Sequence, residues 1–259
     1  MITGINWMGF RTLYVKEVRR FFKVQLQTIW APAMTTLLFL AIFTVALGTV
    51  KPEILGVPYA NFLAPGLIVM GMVQNAFSNS SSTLLIAKIQ GTIVDVMMPP
   101  LSTGELLACF VAGALTRAWL VGLAIYLAML LWPGVDLTIR NIWPVLYFGT
   151  MGSVLLALLG VLTGIWADKF DHAATITFFV VQPLTLMSGT FYAIENLHPT
   201  MQRISLSNPF FYLIDGFRAG FIGVSEASVW LGGGIIGGLV LLFWWVSYAV
   251  LKSGWKLRA

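Results

Sequence analysis

The sequence contains very few charged residues. Of its 259 residues only 10% are Asp, Glu, Lys or Arg, whereas 58% are hydrophobic. Soluble globular domains carry about 25% charged residues, so this chain has too few charges to cover a water-soluble globule. The mean hydropathy of +0.87 also excludes intrinsic disorder, because disordered chains are poor in apolar residues. The composition therefore predicts one membrane domain without an attached soluble domain.

Cysteine and histidine are nearly absent. The single cysteine, Cys109, lies in an apolar run, cannot form an internal disulfide, and is interpreted as a small packing residue. His172 and His198 fall in separate loops on opposite predicted sides of the membrane, so we expect no metal site. The sequence has neither a G-x-S-x-G nor an H-E-x-x-H motif. No catalytic, metal or cofactor residues are therefore assigned, and the chain is not expected to be an enzyme.

A nucleotide-binding loop of the form G-x-x-x-x-G-K-[ST] is also missing. If ATP drives this protein, a separate chain must bind it. Ion-coupled carriers usually place Asp or Glu within the membrane, whereas the carboxylates here fall in or near loops, which argues against a secondary transporter. The net charge of +5 does not indicate nucleic-acid binding, because the basic residues lie at the ends of apolar segments and not in a stripe.

Six long apolar segments make up most of the chain. They cover residues 29–48, 59–77, 106–132, 142–167, 175–192 and 229–251. Each approaches or exceeds the ~20 residues that a helix needs to cross the hydrocarbon core of a bilayer. The predicted fold class is therefore an all-α integral membrane protein with six transmembrane helices. Its transmembrane domain covers residues 24–252, and a basic tail covers residues 253–259.

Residues 1–23 precede the first span and carry an amphipathic pattern over residues 4–23. Apolar side chains recur at helical spacing on one face, at Trp7, Phe10, Tyr14, Val18 and Phe21. Basic side chains occupy the opposite face, at Lys16, Arg19, Arg20 and Lys23. Such a helix lies along a membrane surface with its basic groups near anionic head groups. The alternative is a charged tail whose periodicity is accidental.

The basic residues are distributed unevenly between the two predicted sides of the membrane. Four of the 15, Lys51, Arg140, Arg203 and Arg218, fall on one side, and Arg117 lies inside the third span. The remaining ten are on the side that carries both termini. Because cytoplasmic segments are enriched in Lys and Arg, we expect both termini to face the cytoplasm.

The connection over residues 79–105 contains the most informative segment of the chain. Ile93, Val96 and Met97 have the i, i+3, i+4 spacing of one helix face, while Asp95 lies on the other side. Two consecutive prolines end this short helix soon afterwards. A short amphipathic helix on the cytoplasmic side suits docking into a groove of a partner protein. The alternative is a helix on the membrane surface without a partner.

Arg117 is the one charged residue deep inside a predicted span. A charge at this depth is costly and usually faces a cavity or a partner. One interpretation is contact with an anionic substrate, or with another helix, along a transport pathway. The other is a snorkelling side chain in a span whose ends are misplaced.

The connection over residues 193–228, on the outer side, includes an apolar stretch of its own at residues 209–223. This stretch is too short to cross and is predicted to be re-entrant or interfacial.

Glycines recur at four-residue spacing in the spans, a pattern that allows close helix packing. The pairs are Gly160 with Gly164, Gly233 with Gly237, and Gly234 with Gly238. A dimer seam and ordinary packing within the chain are both open interpretations.

Two separated segments follow a recognisable pattern. The first opens with Gly91-Thr92-Ile93 and ends at Pro100. The second combines a small-residue turn with a proline-initiated run before the last span, at Ser188, Gly189, Pro209, Phe210, Tyr212 and Arg218. Together with the six-span layout, these segments resemble the membrane subunits of type-2 ABC exporters. That class includes polysaccharide, nodulation-factor and drug export permeases.

The resemblance implies a role for each segment. The first would be a coupling helix that sits in a cleft of an ATPase subunit, through Gly91, Ile93, Asp95, Met97 and Pro100. The second would form short re-entrant helices and an outer gate, through Ser188, Gly189, Pro209, Tyr212, Asp215 and Arg218. Asp215 and Arg218 are also spaced i, i+3, so pairing with each other is the structural alternative.

The resemblance further implies a permease subunit of an ATP-driven exporter in a bacterial inner membrane. Two copies of a cytoplasmic ABC ATPase would bind the ATP and Mg, and the permease would pair as a homodimer or with a paralogous permease. The substrate class is amphiphilic, glycan-like or lipid-like, or drug-like. A non-transporting structural or regulatory subunit is the alternative, followed by an integral membrane enzyme that modifies lipids.

Overall fold

A computed structural model of the protein describes residues 6–48 and 53–257. Predicted features that involve Gly4, Lys51 or Arg258 lie outside these residues. The described chain is mostly helical, which confirms the all-α class. Its helices are α1 Trp7–Phe22, α2 Ala31–Leu47, α3 Tyr59–Ile89, α4 Ile93–Met97, α5 Thr103–Met129, α6 Ile142–Trp166, α7 Phe170–Ile176, α8 Gln182–Leu186, α9 Pro199–Ser207, α10 Pro209–Ile222 and α11 Val229–Ser253.

Shorter elements connect several of these helices. Strand β1, Glu53–Ile54, pairs antiparallel with β2, Val57–Pro58, in a small hairpin before α3. A single 3₁₀ turn, Ile194–Asn196, lies between α8 and α9.

Within the described residues, five helical segments are long and apolar enough to cross a membrane. They are Leu26–Ala46, Tyr59–Ile89, Thr103–Met129, Ile142–Trp166 and Val229–Ser253. These segments correspond to the predicted first, second, third, fourth and sixth spans. The predicted fifth span, residues 175–192, differs in position, because the helical run there starts at Phe170 and ends at Leu186. We call this run of α7, a π turn and α8 the 170–186 segment.

Helix α3 is much longer than the predicted second span. It has 31 residues and a length of about 46 Å at 1.5 Å per residue, so residues 79–89 are helical and do not form a connection. The polar run that follows Phe77 lowers the hydropathy there, but the helix continues, in part because hydroxyl groups of the run donate to carbonyls of the preceding turn. Ser81, for example, donates to the Phe77 carbonyl at 2.9 Å.

The centre of the bundle is the contact between α3 and α6. Gly160 and Gly164 on α6 allow the two backbones to approach. A Cβ atom at position 160 would lie 2.5 Å from the Phe77 carbonyl oxygen, and one at position 164 would lie 2.9 Å from the Ser81 carbonyl oxygen. This glycine pair therefore packs α6 against α3 within one chain.

The glycines of α11 behave differently. A Cβ at Gly237 would lie 3.0 Å from the Tyr147 hydroxyl oxygen, whereas a Cβ at Gly234 or Gly238 would meet no atom within 4 Å. The side of α11 that carries Gly233 and Gly237 therefore faces the rest of the chain, whereas the side that carries Gly234 and Gly238 does not.

Two π-helical turns, Leu26–Trp30 and Thr177–Val181, each precede a proline, at Pro32 and Pro183. Proline has no N–H, and its ring clashes with the carbonyl four residues earlier. That carbonyl lies inside the π turn in both cases, so the wider turn relieves the clash. Both apolar segments thereby stay helical through their proline.

Candidate functional site

Helix α4 is a short helix at the end of α3. Gly91 makes the turn between the two helices with a φ of +70°, a left-handed conformation that glycine adopts without steric cost. Ile93 and Val96 are buried against the chain, whereas Asp95 is exposed and Met97 is 39% exposed. The side chain of Ile93, one of the predicted coupling residues, packs inside the protein and does not face outward.

The outward face of α4 is apolar at positions that the sequence pattern did not single out. Val94 is 54% exposed and Met98 is 72% exposed. Together with Asp95 and Met97, they form what we call the outward α4 face. Residues 93 and 96 anchor the helix, so that the four other side chains are free to contact another molecule.

The segment after α4 is fixed by hydrogen bonds to the start of α1. Glu105 and Ser102 form a capping box at the start of α5, and the Asn6 backbone N–H donates to the Glu105 carboxylate at 2.7 Å. The Asn6 side-chain amide donates to the Pro100 carbonyl at 3.3 Å. Pro100 is thereby held beside α1, and a groove of about 410 Å³ separates α1 from Asp95 and its neighbours.

A charged clamp joins three chain segments at the same end of the bundle. Lys88, near the end of α3, donates to the Ile165 and Ala167 carbonyls at 2.8 and 2.7 Å and to Asp168 at 3.1 Å. Lys256, in the C-terminal tail, donates to Asp168 at 2.6 Å. Hydrogen bonds from both lysines hold the pKa of Asp168 down to about 2. The clamp links the end of α3, to which α4 is joined, to the end of α6 and to the tail.

Replacing Asp168 with asparagine is expected to loosen the tail, because both lysines lose their charged partner. Hydrogen exchange of residues 252–257, measured by mass spectrometry, should speed up a few-fold. The effect is small because the carboxylate is exposed and screened by water. The lowered pKa means that the clamp contributes fully above the unfolded pKa of about 4 and is lost only as pH falls toward about 2.

Protection of the tail, after correction for intrinsic exchange rates, should therefore be constant between about pH 5 and pH 8. Asp171→Asn is the matched control, since Asp171 is an exposed acid three residues further on. Equal effects of the two substitutions would show that Asp168 is not the centre of the clamp.

The opposite end of the bundle is organised around Arg218 on α10. Its side chain is 1% exposed. The guanidinium donates to the Gly189 carbonyl at 2.7 Å, lies 3.7 Å from the centre of the Phe62 ring, and has a nitrogen 3.5 Å from a Glu226 oxygen. Arg218 therefore ties the turn at Gly189 and the loop before α11 to the helix core.

Asp215 does not pair with Arg218, so the structural alternative for these two residues is wrong. Asp215 instead accepts the backbone N–H groups of Glu226 and Ala227 at 3.0 and 2.9 Å. Glu226 accepts the Ile194 N–H at 2.6 Å. Burial raises the pKa of Glu226, and the positive charge of Arg218 opposes that rise.

The other predicted residues of the outer region have local structural roles. The Ser188 hydroxyl donates to the Thr185 carbonyl and lies 3.0 Å from the Thr190 hydroxyl. Pro209 starts α10 at a position where its missing N–H costs nothing. The Tyr212 hydroxyl donates to the Leu206 carbonyl at 2.9 Å.

The structure thus groups the predicted residues into two sets at opposite ends of α3. The coupling residues lie beyond Ile89, and the outer residues lie near Tyr59, whose hydroxyl donates to the Phe191 carbonyl at 3.0 Å. Arg117 belongs to neither set, because it donates to Asn75 within the bundle at 2.8 Å.

Sequence reasoning missed two buried acidic residues. Glu226 stands in a short polar loop without any pattern. Glu17 sits within the predicted basic side of α1, but it is buried and accepts a hydrogen bond from Thr83 of α3 at 2.8 Å. The spacing of Glu17 and Arg20, i and i+3, was the one available signal, and they form an ion pair at 3.2 Å.

These features define an integral, multi-pass membrane protein with a short exposed helix at one end and a buried ionic network at the other. The chain belongs to the ABC-2 type transporter family, which it matches over residues 8–222. Membership makes it a transport permease subunit of an ABC transporter.

Several curated proteins are similar along the chain. It is 30% identical over 263 residues to the inner membrane transport permease YadH of Escherichia coli, covering 98% of this chain and 99% of that protein. It is 26% identical over 209 residues to nodulation protein J of Neorhizobium galegae, covering 80% and 78% of the two chains. For nodulation protein J of Rhizobium leguminosarum the identity is 25% over 256 residues, covering 96% and 95%.

Proposed function

We propose that this chain is the membrane subunit of an ATP-driven exporter in a bacterial inner membrane. The observation that carries the proposal is the outward α4 face, which exposes apolar side chains beside one acid at the end of the longest helix. Docking of a cytoplasmic partner there would bury those side chains. A separate ABC ATPase would supply the ATP and Mg site.

The proposed topology has six spans, with the 170–186 segment as the fifth. That segment has 17 helical residues, close to the ~20 needed to cross, and the following turn is attached to Arg218. Helix α10 would then be a re-entrant helix that does not cross. Since Arg218 is buried and is not a loop charge, the basic residues divide ten against three, which favours cytoplasmic termini.

Coupling would run from α4 into the bundle through two contacts. Helix α4 is joined to α3 by the short turn at Gly91, and Lys88 joins the same end of α3 to Asp168. A force on α4 would therefore reach both α3 and the end of α6. ATP binding can shift this equilibrium only through interactions that differ between two states of the permease.

Pairing of two permease chains is the second part of the proposal. In the apolar 18-residue stretch of the segment Leu26–Ala46, only 22% of the residues are buried within the chain, whereas 83% are buried in the corresponding stretch of α3. The 170–186 segment exposes the amide of Gln182 amid apolar neighbours. A polar side chain is costly against lipid and usually faces protein or a water-filled cavity. A second copy, or a paralogous permease, would provide such an environment, with an amphiphilic, glycan-like or drug-like substrate passing between the copies.

Changing the outward α4 face is expected to release the ATPase. The wild-type chain, tagged and purified from its own cells, should retain an ABC ATPase in a complex whose mass reports the copy number of both subunits. Asp95→Arg combined with Met97→Ser and Met98→Ser should reduce the retained ATPase at least about tenfold, the loss typical of central interface residues.

Asp171→Arg is the matched control for this experiment. It makes the same charge change at an exposed acid on the same end of the bundle, away from α4. If the triple variant elutes normally and still retains the ATPase as well as Asp171→Arg does, then docking through α4 is wrong.

A further inference from the structure

Helices α1, α3 and α5 meet at a polar cluster that neither the coupling role nor the outer network uses. Arg20 of α1 donates through Nη2 to the Asn79 side-chain oxygen at 3.0 Å. Arg117 of α5 donates through Nη2 to the Asn75 side-chain oxygen at 2.8 Å. Asn75 and Asn79 are four residues apart on α3, so they lie on one face with Cβ atoms about 6 Å apart. The two guanidinium groups are therefore held next to each other, one helical turn apart.

The cluster has more positive than negative charge. Glu17 is buried and pairs with Arg20 at 3.2 Å. Arg117 has no carboxylate within ion-pair distance among the described residues. Two guanidinium groups against one carboxylate leave one uncompensated positive charge. Arg117 is partly buried and the Arg20 side chain is 30% exposed, and a charge removed from water in this way favours a counter-charge.

Several hydrogen-bond donors of the cluster have no acceptor. The buried Nε atoms of Arg20 and Arg117 and the Asn79 side-chain nitrogen have no partner among the described residues, and all three are donors. Arg117 uses one of its five donors, in the bond to Asn75. A phosphate oxygen is an acceptor that guanidinium groups bind strongly, often through two parallel hydrogen bonds. A phosphodiester, with one negative charge, would balance the remaining charge.

On α3, the cluster lies near the cytoplasmic end of the predicted span. A hydrocarbon core of ~30 Å takes about 20 residues of a helix. Counted from Tyr59, where α3 begins, this reaches about Ser78. Asn75 and Asn79 therefore stand on either side of the predicted cytoplasmic boundary of the membrane.

The approach to the cluster along α1 is lined by basic residues. Arg20 lines a groove of about 890 Å³ along α1. The other cationic residues of this groove are Arg11, Lys16, Arg19 and Lys23. Basic residues in such a position attract anionic lipids from the cytoplasmic leaflet.

We propose that Arg20 and Arg117 bind the phosphodiester group of an anionic phospholipid from the cytoplasmic leaflet. Asn75 and Asn79 hold the two guanidinium groups in place, and Glu17 limits the site to one net positive charge. The bound lipid stabilises the packing of α1 against α3 and α5. The site rests on the proposed topology, which places this end of α3 on the cytoplasmic side, but not on the proposed docking of an ATPase or on export.

The test uses the purified full-length chain in phosphatidylcholine nanodiscs, with and without phosphatidylglycerol. Native mass spectrometry counts the retained phosphatidylglycerol, and a thermal melt reports its stabilising effect. Arg117→Gln, which can still bond to Asn75, should weaken phosphatidylglycerol binding about tenfold or more, as expected for a charge-assisted hydrogen bond. Arg19→Gln is the matched control, because it removes an exposed positive charge from the same groove.

Equal losses in the Arg117 and Arg19 variants would overturn the proposal in favour of general attraction to the basic surface. If millimolar inorganic phosphate abolishes the stabilising effect of phosphatidylglycerol, the site binds free phosphate and the proposal of a lipid ligand is wrong. Unchanged binding in Arg117→Gln would overturn the site itself.

A second variant keeps the test decisive if Arg117→Gln does not fold. Asn75→Asp places a carboxylate beside Arg117 with almost no change in shape and so supplies the missing negative charge internally. This variant should melt at or above the wild-type temperature in pure phosphatidylcholine and gain little from phosphatidylglycerol. A gain equal to that of the wild type would contradict the proposal.

Discussion

Replacing Arg218 with alanine is expected to lower the free energy of unfolding by about 3–5 kcal/mol, the typical cost of removing one partner from a buried ion pair. The substitution leaves the buried Glu226 carboxylate without its cation and the Gly189 carbonyl without its donor. It also removes the contact with the Phe62 ring. Thermal unfolding of the detergent-solubilised protein, followed by gel filtration, measures the loss.

Arg203→Ala is the control, because Arg203 is an exposed arginine on α9. Its effect should stay within about 0.5 kcal/mol. Adding Glu226→Gln to Arg218→Met should recover part of the stability, since no unpaired carboxylate then faces an apolar side chain. A melting temperature for Arg218→Ala equal to that of Arg203→Ala would refute the central role of Arg218.

Gly160→Ala is expected to be similarly damaging, with a loss of about 3 kcal/mol or more, at the upper end of overpacking costs. The added methyl group would lie 2.5 Å from the Phe77 carbonyl oxygen and 3.2 Å from the Ser81 nitrogen. Both are backbone atoms of α3 and cannot rotate away, so α6 must move outward. The same thermal unfolding assay measures the effect.

Gly238→Ala makes the identical chemical change in another apolar helix. A Cβ there meets no atom within 4 Å, and alanine favours a helix over glycine by up to about 1 kcal/mol. Its stability should therefore be unchanged or slightly higher. If Gly238→Ala destabilises the chain as much as Gly160→Ala does, the close α3–α6 contact does not explain the effect.

Much of the fold follows from hydropathy alone. A long run of apolar residues can satisfy its backbone groups in a membrane only as a helix or a closed barrel, and five predicted spans have helical counterparts in the structure. The short helix after Gly91 and the one after Pro209 were also predictable, because proline and glycine mark their ends.

Hydropathy predicted too short a helix for α3, because a hydropathy scale scores a polar residue as unfavourable whether or not it has a partner. The run that follows Phe77 has the composition of a loop, yet it is helical and buried. Arg20 from α1 donates to Asn79 and Ser82 in this run, and Thr83 donates to Glu17. Those partners lie about 60 residues away in sequence, so no local pattern predicts them.

The candidate sites also combine features that the sequence predicts with features that only the packing determines. The segment 91–100 could be recognised from its spacing, but the spacing could not tell which side faces outward. Only the packing of Ile93 and Val96 against the chain leaves the outward α4 face free. Likewise, Arg218 was recognisable, whereas its partner Glu226 was not.

By itself, the sequence determined that this protein is a helical, multi-pass membrane protein of the ABC-2 type, because apolar runs and two short motifs are local properties. The tertiary structure alone decided which polar groups that are distant in sequence come together. Arg218 meets Glu226, Lys88 meets Asp168, and two arginines meet on one face of α3. The physical reason is that burial of charge must be compensated at close range, and close range is set by how helices distant in sequence pack together.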